Sequence, residues 1–218
     1  MAENQEKKKI VIEVFKTKST AELSQIVADP ESHTDVGTAA AASAANAFAL
    51  ALRAARLSEA RLGSSERLDY VTRNLENLRQ YMLQLIDEDN RCRAPLRRAL
   101  RDNDTQRFQP ALEASCAIAN ELVCMAGNLL DLLEELDPLC DAQSAVYVSA
   151  AARMALSVTE SCRYYLLGQA ARSEDETFRF VTRRENELTL TQQREKADRI
   201  CARTEKRIIP EQTDSIAR

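Results

Sequence analysis

The chain has no tryptophan, one histidine, four glycines and five prolines in 218 residues. So few turn-forming residues exclude a β-sandwich or barrel, and with Ala, Leu, Glu, Arg and Gln dominant the composition predicts an all-α protein. A surplus of positive charge is also missing. The net charge of −4 and pI near 5.3 argue against a phosphate backbone as partner, so no nucleic acid is expected. No run reaches the roughly 18 apolar residues that span a bilayer, and Met-Ala-Glu-Asn-Gln-Glu-Lys-Lys-Lys is not a signal segment, so a cytoplasmic protein without a membrane partner is expected. Six cysteines, at 92, 116, 124, 140, 162 and 201, have no CxxC spacing, which predicts reduced structural thiols rather than a metal site or disulfides. GxSxG, P-loop, dinucleotide and HExxH motifs are absent, so no cofactor is firmly implied.

What is present is alanine. From Ala39 to Ala55, eleven of seventeen residues are alanine, the best helix former, and so little side-chain bulk lets neighbouring backbones approach closely. This predicts a buried central helix from about Thr38 to Gly63, in a single-domain bundle of long helices. The domain is expected over residues 19–208, with a charged leader over 1–18 containing the β-branched run Ile10-Val11-Ile12, and a tail over 209–218. Ser19-Thr20-Ala21-Glu22 has the capping-box pattern and opens a short first helix ending near Asp29. Leu68, Val71, Leu75, Leu78, Met82 and Leu85 recur at alternating spacings of three and four and mark one face of a long helix. Pro95 should end or kink it, residues 101–105 read as a loop, and Pro110 suits the first turn of a helix over 110–136. A further helix opens near Asp141 with another small-residue face. The last, roughly Glu174 to Arg207, is highly charged with a thin stripe of Phe178, Val181 and Leu188. It should lie on the surface or pair with a second subunit.

Three groups could carry chemistry. Continuing the third helix's apolar rhythm lands on Asp89, whereas Asp87 and Glu88 fall off that face. A carboxylate there is desolvated and suits general acid/base work, or it simply meets an arginine such as Arg93 or Arg153. Asp141 either caps its helix or projects into what the helix ends enclose. His33, in the turn Pro30-Glu31-Ser32-His33-Thr34-Asp35-Val36-Gly37-Thr38, is either a proton-transfer group or a solvated loop residue. The N–H groups of the following helix favour a polar or anionic ligand at that end.

The order of these segments resembles the cyclodeaminase/methenyltetrahydrofolate cyclohydrolase family. Residues 35–41 occupy the place of its glycine-rich turn before an alanine-rich helix. Leu85-Ile86-Asp87-Glu88-Asp89 is similar to its acidic Leu-Ile-Asp-x-Asp segment, and Cys140-Asp141-Ala142 through Arg153-Met154-Ala155 resembles its Ser-Asp and second alanine-rich helix. The resemblance implies an all-helical homodimer that hydrolyses a methenyl bridge or closes a formimino group with loss of ammonia, with a tetrahydrofolate derivative as small-molecule substrate. Both reactions pass through an amidinium-like carbon that a carboxylate stabilises. Asp89, with Asp141 second, suits that role; with His33 these are the catalytic candidates, and Asp35, Gly37, Thr38 and Arg153 are the substrate-binding candidates. Asp35 and Val36 stand where the family has glycines, and Val158 and Cys162 where it has asparagines, so a different substrate is also open. The competing readings are a catalytically inactive helical homodimer serving as a binding or scaffolding protein, and an unrelated helical regulator acting through its charged last helix.

Overall fold

The computed structural model describes residues 14–209. Its helices are α1 (Thr20–Ala28), α2 (Val36–Leu62), α3 (Glu66–Arg101), α4 (Thr105–Ser115), α5 (Ala117–Leu136), α6 (Ala142–Ala170) and α7 (Glu176–Ile208), with a 3₁₀ turn at Asp137–Leu139. There is no strand among the described residues. The expected single bundle of helices is what forms.

α2 is its axis, packed against α3, α5 and α6. Ala41, Ala47, Ala51, Ala54, Ala55 and Phe48 are fully buried, and small residues all round the helix allow three neighbours to close on it. α6 answers with Ala145, Ala151 and Ala152, also fully buried. On α3, the predicted stripe of Leu68, Val71, Leu75, Met82 and Leu85 faces the core, and Leu78 packs at its margin. Truncating one such buried leucine or methionine to alanine is expected to remove about 2–5 kcal/mol. α1 begins with the predicted capping box between Ser19 and Glu22.

Several local expectations are corrected. α3 does not end at Pro95 but continues to Arg101. The missing N–H is tolerated because Leu96 and Ala99 beyond it pack on Ala111 and Leu112 of α4. Arg97 also braces the preceding turn, donating to the Asn90 carbonyl (3.2 Å) and Oδ1 (2.6 Å). Pro110 lies inside α4 rather than in a first turn, because Asp104 accepts from the Arg107 N–H (3.0 Å) and starts the helix earlier. The anticipated helix over 110–136 is broken at Cys116. There the Ser115 hydroxyl donates back to the Leu112 carbonyl (2.6 Å) and competes with the regular ladder.

α7 is corrected too. Val181 and Leu188 are largely exposed, and the face packed on α5 and α6 is instead Asn186, Gln193, Ala197, Ile200 and Thr204. Gln193 accepts from the Thr159 hydroxyl (2.5 Å) and donates to the Val123 carbonyl (2.9 Å), so polar groups are satisfied across this contact. Arg203 and Arg207 close on buried Asp137. Thr105–Leu139 is long and apolar enough by hydropathy to cross a membrane, which the sequence reading did not anticipate. Its leucines 112, 122, 130, 133 and 136 are fully buried in the bundle. The Ile10–Ile12 run lies outside the described residues.

Candidate active site

The head of α2 gathers most of the singled-out residues. Asp35 is its N-cap and accepts from the Val36 N–H (2.7 Å). Two residues on, Gly37 lies against Asp89 of α3 so closely that an added Cβ would sit 2.1 Å from Asp89 Oδ1. Asp89 Oδ2 accepts from both the Thr38 N–H (3.1 Å) and the Thr38 hydroxyl (2.9 Å). A carboxylate from one helix thus satisfies an orphan N–H at the start of another. Glycine is required at position 37 by this close approach.

Arg93, one turn after Asp89, joins the two acids. Its Nη2 is 2.5 Å from Asp35 Oδ2, and its Nη1 is 3.8 Å from Asp89 Oδ2. The guanidinium also lies over the Tyr165 ring, 5.9 Å from its centroid. Of the two arginines weighed as partners for Asp89, the structure selects Arg93. Asp89 is 2% exposed. Burial pushes its carboxyl above the ordinary aspartate value, against the opposing pull of Arg93 and the Thr38 hydrogen bonds. Burial likewise pushes the Cys162 thiol up to about 12, with the charge of Asp89 adding to the effect.

Asp35 and Arg93 open onto a cleft of about 790 Å³ between the α1–α2 turn, the first turns of α2, and α6. Asp29, Ser32 and Thr34 line it on one side, and Ser157, Val158 and Tyr164 on the other. Asp89 does not reach this surface and lies behind the α2 turn. It is therefore held out of water, as its helical phase predicts; Gly37 and Thr38, which it contacts, are buried with it and do not line the cleft, whereas Arg93 does.

The remaining candidates lie elsewhere. His33 is exposed and does not line the cleft, although its neighbours Ser32 and Thr34 do. Arg153 pairs with Asp198 of α7 (2.6 Å) on the outer surface. Asp141 caps α6 by accepting from the Ser144 N–H (2.7 Å) and meets Arg61 (2.6 Å) near the other end of α2, about 40 Å away at 1.5 Å per helical residue. Asp141 and Asp89 do not share a cavity. Hydrogen bonding with Ser144 and Arg61 holds the Asp141 carboxyl down to about 2.

The sequence reading missed two features. Asp87, placed off the core face, is buried, because Phe15 of the chain segment before α1 folds over it and donates its N–H (2.6 Å). No helical periodicity signals a covering segment from 72 residues away. Arg93 was read as a charge partner and not as a wall of the site; its i,i+4 spacing from Asp89 was the available signal.

A buried alanine-rich axis with its capped N-terminus opening on a cleft makes this an all-helical bundle with its candidate site at the head of the axis. The sequence profile of the formiminotransferase-cyclodeaminase family matches residues 19–187, and the chain belongs to that family. Among solved structures it is similar to formiminotetrahydrofolate cyclodeaminase from Thermotoga maritima, at 19% identity and a TM-score of 0.74, over 88% of this chain and 96% of that one. No curated protein matches it in sequence.

Proposed function

We propose that this protein is a cyclodeaminase-like enzyme acting at an amidine or methenyl C–N centre, with tetrahydrofolate one-carbon derivatives as its substrate class. Family membership supports the chemistry. The observation that carries it is the Asp35–Arg93 pair on the wall of the cleft with Asp89 behind it. In such reactions a nucleophile adds to a cationic carbon flanked by nitrogens: water at the methenyl bridge, or the substrate's own second amine at the formimino group. Asp35, the carboxylate a ligand meets, stabilises that cation, takes the proton the nucleophile sheds and returns it to the departing nitrogen, which leaves as the opened ring amine or as ammonia. Asp89 is a positioning residue: it sets the α2 turn and the angle of Arg93. The acting unit is the bundle of residues 19–208, as a homodimer in a reducing cytoplasm.

Loss of methenyltetrahydrofolate absorbance and ammonia release from the formimino derivative test the proposal directly. Turnover of either is expected, with Asp35→Asn lowering it by about 10²-fold or more and Asp141→Asn leaving it unchanged. Asp89→Asn keeps an acceptor for Thr38 and should lower the rate less than Asp35→Asn. Absence of turnover by the purified wild type would sink it. The second reading, an inactive homodimeric scaffold, draws on a groove of about 850 Å³ on the outer side of α2, where Leu50, Leu57 and Met154 are half-buried. Its signature is a dimer in sedimentation with no turnover and no rise in melting temperature with folates.

A further inference from the structure

We propose that Asp35 makes the head of α2 a receptor for a cationic nitrogen group, such as an amidinium, and excludes carboxylates and phosphates from it. This deepens the reading of the cleft as a ligand site and rests on it. A helix N-terminus ordinarily attracts anions through its free N–H groups and dipole. Here two of those N–H groups are already taken. Asp35 Oδ1 occupies the Val36 N–H (2.7 Å), and Asp89 Oδ2 occupies the Thr38 N–H (3.1 Å). Among the described residues of the lining the one cation is Arg93: its Nη2 pairs with Asp35 at 2.5 Å, and its Nη1 is buried away from the cleft, 3.8 Å from Asp89 and without a hydrogen-bond partner.

The charge of the wall points the same way. The lining holds the carboxylates Asp29 and Asp35 against the single guanidinium of Arg93, one more negative group than positive. Asp89 adds a further carboxylate behind the turn. Opposite charges within a few ångströms attract strongly in such a partly desolvated cleft, and a second anion meets two resident ones. Val36, Ala39, Ala40 and Val158 offer an apolar surface for a flat ring carrying the cation, beside the Ser157 and Ser161 hydroxyls. Ligand orientation follows: the cationic carbon–nitrogen end enters at α2, and any anionic tail points outward.

Benzamidine and benzoate, nearly equal in shape and opposite in charge, test this by titration calorimetry on the full chain. Benzamidine should bind at least about tenfold more tightly than benzoate. Asp35→Ser keeps a favourable helix cap while removing the charge, and should weaken benzamidine by about tenfold and strengthen benzoate, because Arg93 is released. Should that variant melt early by circular dichroism, the isosteric Asp35→Asn is read the same way. Benzoate binding the wild type as tightly as benzamidine, neither compound binding, or benzamidine indifferent to both substitutions would each overturn the proposal. Binding is read without turnover. A charge-selective cleft in a protein that turns over no folate therefore separates failure of the enzymatic reading from failure of this one.

Discussion

The two ends of α2 carry the same ingredients and use them in opposite ways. At the N-terminal end Asp35, Asp89 and Arg93 pack beside a glycine, and Asp35 and Arg93 face a cleft. At the C-terminal end Arg61 and Asp141 meet beside Gly63 in largely exposed surroundings. Burial raises the Asp89 carboxyl, while hydrogen bonding with Ser144 and Arg61 lowers that of Asp141 to about 2. An aspartate near an arginine at a helix end is thus no function in itself. Desolvation makes the difference, since only a group removed from water leaves part of its interaction energy unsatisfied.

The sharpest way to break this comparison is to remove each arginine. Arg93→Ala strands Asp89 without its opposite charge and should cost about 3 kcal/mol in urea unfolding, whereas Arg61→Ala should cost under about 1 kcal/mol. Equal losses would dissolve the distinction. The glycines come next. Gly37→Ala drives a Cβ into Asp89 and should cost about 2 kcal/mol, and Asp89→Ala in the same chain should relieve part of that through a measurable coupling. Gly63→Ala meets open space, so its loss of about 1–2 kcal/mol comes from its φ of +89° alone and should show no coupling to Asp141→Ala.

Acid–base behaviour sharpens the contrast further. A carboxyl raised by folding contributes most when protonated, so the stability of the wild type relative to Asp89→Asn should fall as pH rises from the ordinary aspartate value of 3.8 through the raised one. Asp141 has the opposite sign. Its contribution should be complete above pH 3.8 and disappear as pH falls towards about 2, as urea midpoints of wild type and Asp141→Asn across that range will reveal. The smallest effect is the cap itself: Asp141→Ala at neutral pH should cost about 1 kcal/mol.

Much of this molecule was legible residue by residue. The Ser19–Glu22 box, the alternating apolar spacing of α3 and the alanine density of α2 are local patterns whose period is the helix's own, and each produced the element it implied. Pro95 does not end α3, because its local penalty is smaller than the packing of α4 against the helix beyond it, and Pro110 misled because Asp104 starts α4 before it. α7 misled differently. Hydrophobic counting chose Phe178, which does pack at the core margin, and Val181 and Leu188, which are exposed, yet Gln193 and Asn186 go inward because partners on α5, on α6 and within α7 satisfy their amides. At the site, helical phase was enough to place Asp89 in the core. It was silent on Asp87, whose burial depends on Phe15.

From its order of residues alone this chain was committed to long helices around a small-residue axis, because helical periodicity and side-chain volume act over one or two turns. Which carboxylate faces a ligand was decided only when α1, α3 and α6 met at the head of α2. There Asp35 came to the wall of the cleft, Asp89 went behind Gly37, and Asp141 was left some seven turns of helix away at 3.6 residues per turn. Solvent access is a property of the assembled surface, and no spacing within a single helix encodes it.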